Sequence, residues 1–314
     1  MNKRRVAWYW KILLLTTVSS LFLSGCDRQY LVFNPAGPVA QKEYDLIVLS
    51  AVLCAIVVIP VLALLFFILY RYRDRPGNKA KYSPNWHDSK ILEVVWWGIP
   101  IIIIGILSIY TAKTTYTLTK PPVKDVKPIT IQVTSMDWKW LFQYPGQKIA
   151  TVNYAEIPVG VPVQFHLTSN QMMNSFWVPE LGGQEYTMPG MAMRLWLQAD
   201  RPGTYYGSGA NFTGKGFTHM KFKVIAKPQA EFDQWARQIK QTEKPLTMTV
   251  YKQLAKKGLA EKQAFSSYPA QLFTNTLNEN GGKYMDKDMK HGKSDMPAMN
   301  HNDHDMSGME HKGE

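Results

Sequence analysis

The chain has 314 residues, a hydrophobic fraction of 46% and a formal net charge of +12 at pH 7. The basic residues do not form one long run, which argues against a protein that binds nucleic acid. Its two cysteines, Cys26 and Cys54, are too few for a disulfide framework. Three apolar runs precede residue 113, so the sequence predicts a membrane protein with a soluble C-terminal part.

The first apolar run resembles an export signal. It follows several basic residues and covers residues 12–23, which is too short for a spanning helix. It ends in Leu23-Ser24-Gly25-Cys26, which resembles the lipobox of bacterial lipoproteins. We predict a lipoprotein signal peptide over residues 1–25, lipidation at Cys26 and an exported segment over residues 26–45. The alternative is an uncleaved signal anchor with an incidental cysteine. Asp27 favours retention in the bacterial inner membrane.

Two further apolar runs predict transmembrane helices over residues 46–70 and 94–112. Neither run contains a charged residue, and both approach or exceed the roughly 20 residues that span a hydrocarbon core. The loop between them, 71–93, carries six basic residues: Arg71, Arg73, Arg75, Lys79, Lys81 and Lys90. Short basic loops lie in the cytoplasm, so we expect residues 26–45 and everything after residue 113 on the periplasmic side.

The exported part shows short alternating strands. Ile129–Met136, Val163–Leu167 and Met193–Leu197 alternate in polarity between glycine and proline turns, which predicts a β-sandwich over residues 125–227. Trp138 and Trp140 are two residues apart, so they are expected on one face of a strand. Residues 228–282 follow as a helical extension, because Phe232, Trp235 and Ile239 have helical spacing.

The segment from Arg201 to Lys223, RPGTYYGSGANFTGKGFTHMKFK, carries a family resemblance. It resembles the copper loop of subunit II of the haem-copper oxidases, in which Cys-x-Glu-x-Cys-x-x-x-His-x-x-Met holds the two-copper centre CuA. The resemblance implies a cupredoxin-like fold for the sandwich. In this chain Met220 is retained, whereas the other ligand positions, including an upstream histidine, hold Asn174, Gly209, Asn211, Thr213 and Phe217.

A two-copper centre of this kind requires bridging cysteine thiolates. Both cysteines of this chain lie in or beside the N-terminal apolar segments, so neither can replace the pair. The chain therefore resembles the branch of the family that takes electrons from quinol, the cytochrome bo-type ubiquinol oxidases. We expect this chain to bind no metal or other cofactor and to carry no catalytic residue.

The resemblance implies a non-catalytic subunit of a proton-translocating quinol oxidase. Its partners would be subunit I, which would hold the haems and the oxygen-reducing copper, subunits III and IV, and ubiquinol. Cytochrome c is not expected as a donor, because residues 125–282 contain 16 basic and 11 acidic residues and cytochrome c donors are usually basic.

Glu93 has two interpretations. A carboxylate at the edge of a membrane commonly just reaches the aqueous interface. The segment Lys90-x-x-Glu93-x-x-Trp96, however, resembles the start of the second helix in the family, where this glutamate marks a proton inlet in many members. Both interpretations stand at this stage.

Residues 283–314 form a tail rich in methionine and histidine, and its composition predicts disorder. Such residues are also copper ligands, so the tail is either a copper-capturing segment or a solvated tail of biased composition. A copper-handling membrane lipoprotein is therefore the alternative function, and a cytochrome c oxidase subunit II is a weaker one.

We predict that Cys26 carries lipid. The intact mass of the purified chain should exceed that of the polypeptide starting at Cys26 by several acyl chains. Cys26→Ala should remove this added mass, whereas the control Cys54→Ala should retain it. An unmodified chain that still begins at Met1 would contradict the prediction.

Overall fold

A computed structural model describes residue 16 and residues 30–80, 88–123 and 125–281. Cys26 and the tail over residues 283–314 lie outside these residues, as does almost all of the predicted signal peptide. The described residues contain two long apolar helices, a two-sheet sandwich and a C-terminal extension.

Helices α1 (Pro38–Arg71) and α2 (Lys90–Leu118) contain the two apolar runs. By length and composition, both can cross a membrane. Almost none of their most apolar segments is buried, unlike the core helix of a soluble protein. Both helices extend beyond the apolar runs. In particular, α2 begins inside the predicted loop 71–93, because the Ser89 hydroxyl accepts a hydrogen bond from the Leu92 N–H and caps the first turn.

The first two turns of α1 lie against the sandwich. At about 1.5 Å per residue, 34 residues make a helix of about 51 Å, well beyond a hydrocarbon core of about 30 Å. The excess includes Val39 and Ala40, which are buried. The Gly183 N–H donates to the Glu43 carboxylate at 2.9 Å, and the Ala40 N–H donates to the Leu181 carbonyl at 3.2 Å. The predicted exported segment 26–45 is therefore helical from Pro38 onward and docked on the domain.

The sandwich confirms the predicted cupredoxin-like architecture. Its eleven strands within the described residues are β1 (Ile129–Met136), β2 (Lys139–Tyr144), β3 (Ile149–Val152), β4 (Tyr154–Pro158), β5 (Val163–Ser169), β6 (Asn174–Trp177), β7 (Glu185–Thr187), β8 (Met193–Leu197), β9 (Gly203–Gly209), β10 (Lys221–Lys227) and β11 (Gln263–Phe265). One sheet has the order β11-β3-β2-β1-β5-β8 and the other β4-β10-β9-β6-β7. The pairs β1–β5 and β4–β10 are parallel, and the other neighbouring pairs are antiparallel.

Aromatic side chains fill the space between the sheets. Phe176 of β6 and Phe222 of β10 stack with ring centroids 4.8 Å apart, and Trp140 and Phe142 of β2 pack edgewise or tilted against them. All four side chains are buried. Aromatic pairs at these separations contribute about 0.5–1.5 kcal/mol each beyond the burial of area, so this cluster is a principal source of stability.

The C-terminal extension over residues 228–282 contains helices as predicted, together with one short strand. It contains α3 (Gln229–Thr242), α4 (Met248–Leu254) and α5 (Leu272–Glu279), but also β11, which pairs antiparallel with β3. The predicted helical face is confirmed, because Phe232 and Ile239 are buried and Trp235 packs against the sandwich core. A strand of three residues offers too little periodicity for a prediction from sequence.

A buried lysine ties the extension to the first sheet. The Lys139 ammonium donates to the Leu254 carbonyl at 2.8 Å and to the Lys256 carbonyl at 2.6 Å, just where α4 ends. A cation at a helix C-terminus satisfies free carbonyls and the helix dipole. Burial lowers the pKa of Lys139, and the negative charge of Asp137 opposes that shift.

The outer face of the same sheet carries His166, which points away from the buried Phe165 and Leu167 as predicted. Its ring lies 3.0 Å from the Gln164 amide oxygen. Burial, and secondly the charge of Arg194, lower the pKa of His166 to about 4. The imidazole is therefore neutral at physiological pH.

Candidate functional site

The positions that would hold CuA in the family lie at one end of the sandwich. Strands β6 and β9 pair through Phe176 and Gly209, and the Ala210 N–H donates to the Ser175 carbonyl at 3.0 Å. The Gly209 N–H donates to the Met220 carbonyl at 3.0 Å, which brings the start of β10 to the same place. Residues that are up to 46 positions apart in sequence therefore converge at this end.

An amide–thioether contact lies at the centre of this end. The Asn174 side-chain NH₂ lies 2.8 Å from the Met220 sulfur and donates to it, and both residues are almost fully buried. The Asn174 amide oxygen accepts from the Ser175 N–H at 2.8 Å. The Ser175 hydroxyl donates to the Asn211 amide oxygen at 3.0 Å. Asparagine side chains thus occupy two of the family's ligand positions and bond within the protein.

Gly209 leaves room for this contact. A Cβ atom at this position would lie 2.8 Å from the Asn174 amide oxygen, which is closer than ordinary packing allows. Any larger residue would displace the amide from the Met220 sulfur. The glycine and the asparagine therefore fit each other.

Trp138 covers the loop that contains Thr213. Its indole N–H donates to the Thr213 carbonyl at 3.1 Å, and the Lys257 ammonium lies 5.2 Å from the centre of its ring. A Cβ atom on Gly216 would lie 2.1 Å from this ring, so only glycine permits the close approach. The Thr213 hydroxyl is buried without a hydrogen-bond partner among the described residues.

Contrary to the prediction from their spacing, Trp138 and Trp140 do not lie together in a strand, although Trp138 packs against the same core as Trp140. Trp138 lies in the turn between β1 and β2 with a φ of 64°, whereas Trp140 is fully buried between the sheets. A left-handed residue breaks the two-residue alternation of a strand, so the spacing does not predict the direction of the side chain.

Phe217 and His219 lie in a 3₁₀-helix over Phe217–His219, at the edge of the site. The Phe217 ring packs edgewise on Phe212, with centroids 5.7 Å apart. His219 is exposed, and its Nδ1 lies 3.1 Å from the Thr218 hydroxyl. The Phe217 ring therefore packs against another aromatic side chain at the edge of this end.

These residues do not fit a two-copper thiolate centre. The donor atoms at this end are one thioether, amides and hydroxyls, and the thioether already accepts a hydrogen bond. Copper centres of this kind need thiolates and imidazoles that converge on the metal. Cys54 lies on α1, and no group of three or more potential His, Cys, Asp or Glu ligands occurs in the described residues.

Glu93 lies far from this end in sequence, in the first turn of α2, and is exposed. Its N–H donates to the Ser89 carbonyl at 3.0 Å. A carboxylate in the first turn also interacts favourably with the helix dipole. The structure therefore presents the Glu93 side chain at the helix end that follows the basic loop.

Two parts of the site were not predicted from the sequence. The Ser175 hydroxyl links β6 to Asn211, and no motif marks this residue. The contact of Trp138 with Gly216 was also missed, because the two residues are 78 positions apart. Gly216, a glycine between larger residues in a loop, was the only indication of this contact in the sequence, and it does not identify Trp138 as the residue that it contacts.

Gly209→Ala should destabilise the protein by about 1 kcal/mol, because the new methyl group displaces the Asn174 amide from Met220. The measurement is the thermal midpoint of the full-length protein in detergent. Gly146→Ala is the control, since a Cβ at Gly146 meets nothing within 4 Å. In an Asn174→Ala background, Gly209→Ala should cost little. An equal cost in both backgrounds would show that the contact is not the cause.

Comparisons with known proteins find one matching family and several similar proteins. Residues 146–227 match the family described as Cytochrome C oxidase subunit II, periplasmic domain. A solved structure of the periplasmic domain of subunit II of cytochrome oxidase from Bradyrhizobium japonicum is 21% identical, with a TM-score of 0.35, and the match covers 38% of this chain and 96% of that chain.

Two curated relatives match over most of their length. Quinol oxidase subunit 2 of Bacillus anthracis is 49% identical over 263 residues, which is 83% of this chain and 90% of the relative. Cytochrome bo(3) ubiquinol oxidase subunit 2 of Pseudomonas aeruginosa is 38% identical over 300 residues, covering 95% of this chain and 86% of the relative. With its two apolar helices and its periplasmic-type sandwich, the chain fits an inner-membrane protein and belongs to the quinol oxidase subunit 2 family.

Proposed function

We propose that this chain is the non-catalytic subunit II of a membrane ubiquinol oxidase, which couples quinol oxidation to oxygen reduction and proton translocation. The observation that carries the proposal is the similarity to quinol oxidase subunits along nearly the whole chain. The bonded Asn174–Met220 pair supports it, because a chain with this donor set is not suited to accept electrons through CuA.

The partner of such a subunit is subunit I of the oxidase. We propose that subunit I holds the haems, the oxygen-reducing copper and the quinol site, and that subunits III and IV complete the complex. The exposed faces of α1 and α2 support an association within the membrane, since they are apolar and almost wholly unburied in the isolated chain. The sandwich would then cover the periplasmic face of subunit I.

We also propose a lipid anchor at Cys26, with both the N-terminus and the sandwich on the periplasmic side. The docking of the first turns of α1 on the sandwich supports this arrangement, because it requires both on one side of the membrane. The six basic residues between the two apolar runs support a cytoplasmic loop.

Oxygen uptake tests the proposed function. The complex purified through a tag on this chain should consume oxygen with ubiquinol and not with reduced cytochrome c. Uptake with cytochrome c would indicate a route for electrons through this chain and contradict the proposal. A preparation without haem and without uptake would favour the copper-handling lipoprotein.

We further propose that Glu93 takes up protons from the cytoplasmic side for transfer to subunit I. Its exposed position at the start of α2, directly after the basic loop, supports this role. A carboxylate at a membrane boundary can exchange protons with the aqueous phase and pass them to an acceptor within hydrogen-bond reach.

Glu93→Ala should reduce quinol oxidation by the assembled complex several-fold, because a group that relays protons is lost. Glu93→Asp should retain more activity than Glu93→Ala, since it keeps the carboxylate. Asp88→Asn removes an acid just before the same helix and serves as the control for charge. Unchanged turnover in Glu93→Ala, with normal haem content, would exclude the role and leave Glu93 as an interfacial side chain.

A further inference from the structure

The turn that follows α1 forms a small basic pocket. Its volume is about 240 Å³, and its lining consists of Tyr70, Arg71, Arg73, Arg75, Pro76, Gly77 and Asn78. We call this the arginine pocket. Its first lining residue, Tyr70, is also the last residue of the uncharged run over residues 46–70, so the pocket lies where the helix leaves the hydrocarbon core.

Asn78 holds the pocket in shape. Its side-chain NH₂ donates to the Arg73 carbonyl at 2.9 Å and to the Arg71 carbonyl at 3.3 Å. Its amide oxygen accepts from the Ala80 N–H at 3.0 Å and from the Arg71 guanidinium at 3.3 Å. Gly77 has a φ of 82°, which turns the chain back toward the helix end. Asn78 therefore bonds to the end of the helix before the turn and to the chain after it.

The Arg71 guanidinium donates to the Asn78 amide oxygen at 3.3 Å and to the Lys79 carbonyl at 3.5 Å. The donors of Arg73 and Arg75 are therefore the ones available for a ligand. Arg73 lies over the Tyr70 ring, 4.5 Å from its centre, which leaves the edge of the guanidinium free to donate. None of the three arginines forms an ion pair with another residue of the described chain. Asp74 is the only acid between residues 70 and 80, against three arginines and Lys79. The pocket therefore has an excess of positive charge and of hydrogen-bond donors.

The chemistry of the pocket fits a phosphate ester. Guanidinium groups match phosphate oxygens with paired hydrogen bonds and lose less hydration than an ammonium group. The volume is below the roughly 300–1,000 Å³ of pockets for organic ligands, which suits a headgroup more than a whole cofactor. Basic pockets at the cytoplasmic end of spanning helices bind anionic lipid headgroups.

We propose that the arginine pocket binds the phosphate headgroup of an anionic phospholipid in the cytoplasmic leaflet. Charge alone would retain the loop in the cytoplasm without any turn held by Asn78. Arginines that only interacted with the C-terminal dipole of α1 would not need to line one common pocket. The ordered turn around Asn78, rather than the number of basic residues, therefore distinguishes a binding site from a loop that only sets the orientation of the protein in the membrane.

The test is native mass spectrometry of the full complex, purified through a tag on this chain and stripped of lipid in detergent. Phosphatidylglycerol and phosphatidylcholine are the two probes. Wild type should bind phosphatidylglycerol about tenfold more tightly than phosphatidylcholine. Arg73→Gln with Arg75→Gln should abolish that preference. The control, Lys79→Gln with Lys90→Gln, removes two charges of the same loop outside the pocket lining and should retain the preference.

Asn78→Ala is the second variant, because it retains every charge and therefore the topology while it opens the turn. It should lose most of the preference. If Asn78→Ala kept the full preference for phosphatidylglycerol, net charge alone would explain the binding and the proposal would be overturned. The same conclusion would follow if the lysine control lost the preference as fully as the arginine variant. Displacement of the lipid by millimolar inorganic phosphate would overturn the assignment to lipid in favour of a free anion. Loss of partner subunits from the arginine variant, with an unchanged lipid count, would assign the arginines to a protein contact instead.

Discussion

The docking of helix α1 on the sandwich is the contact on which the arrangement of this protein depends. Val39 and Ala40 are buried at the start of the helix, and Glu43 accepts the Gly183 N–H. A helix that spans a bilayer is held at a set depth by its apolar length. Because its first turns are buried against the sandwich and hydrogen-bonded to it, the domain is tied directly to the start of the spanning helix.

The Asn174 end contains the loop that resembles the family's copper loop, but its side chains are buried and hydrogen-bonded to one another. The Asn174 amide, Gly209 and Met220 fit one another closely. A buried polar group without a partner costs about 1–3 kcal/mol, so the buried Asn174 amide requires hydrogen bonds within the protein. Here Ser175 and the Met220 sulfur provide those bonds.

The two ends of α1 differ in the way they meet their surroundings. The first end is packed against a protein domain, whereas the other end finishes in a turn that is held by Asn78 and lined by arginines. The first contact fixes the helix relative to the sandwich, and the proposed phosphate binding would hold the other end at the lipid headgroups. A subunit held in this way at both ends would support a partner in the membrane.

The sequence alone determined the two apolar helices and the sandwich, because apolar run length and strand alternation are local patterns. The resemblance of one loop to a known family singled out the residues of the Asn174 end. Tertiary structure alone decided the rest. The left-handed turn at Trp138 separated it from Trp140, and β11 joined the sheet from a segment expected to be helical. The bonds of Asn174 and Asn78 depend on which residues meet in space, and neither a period nor a motif contains that information.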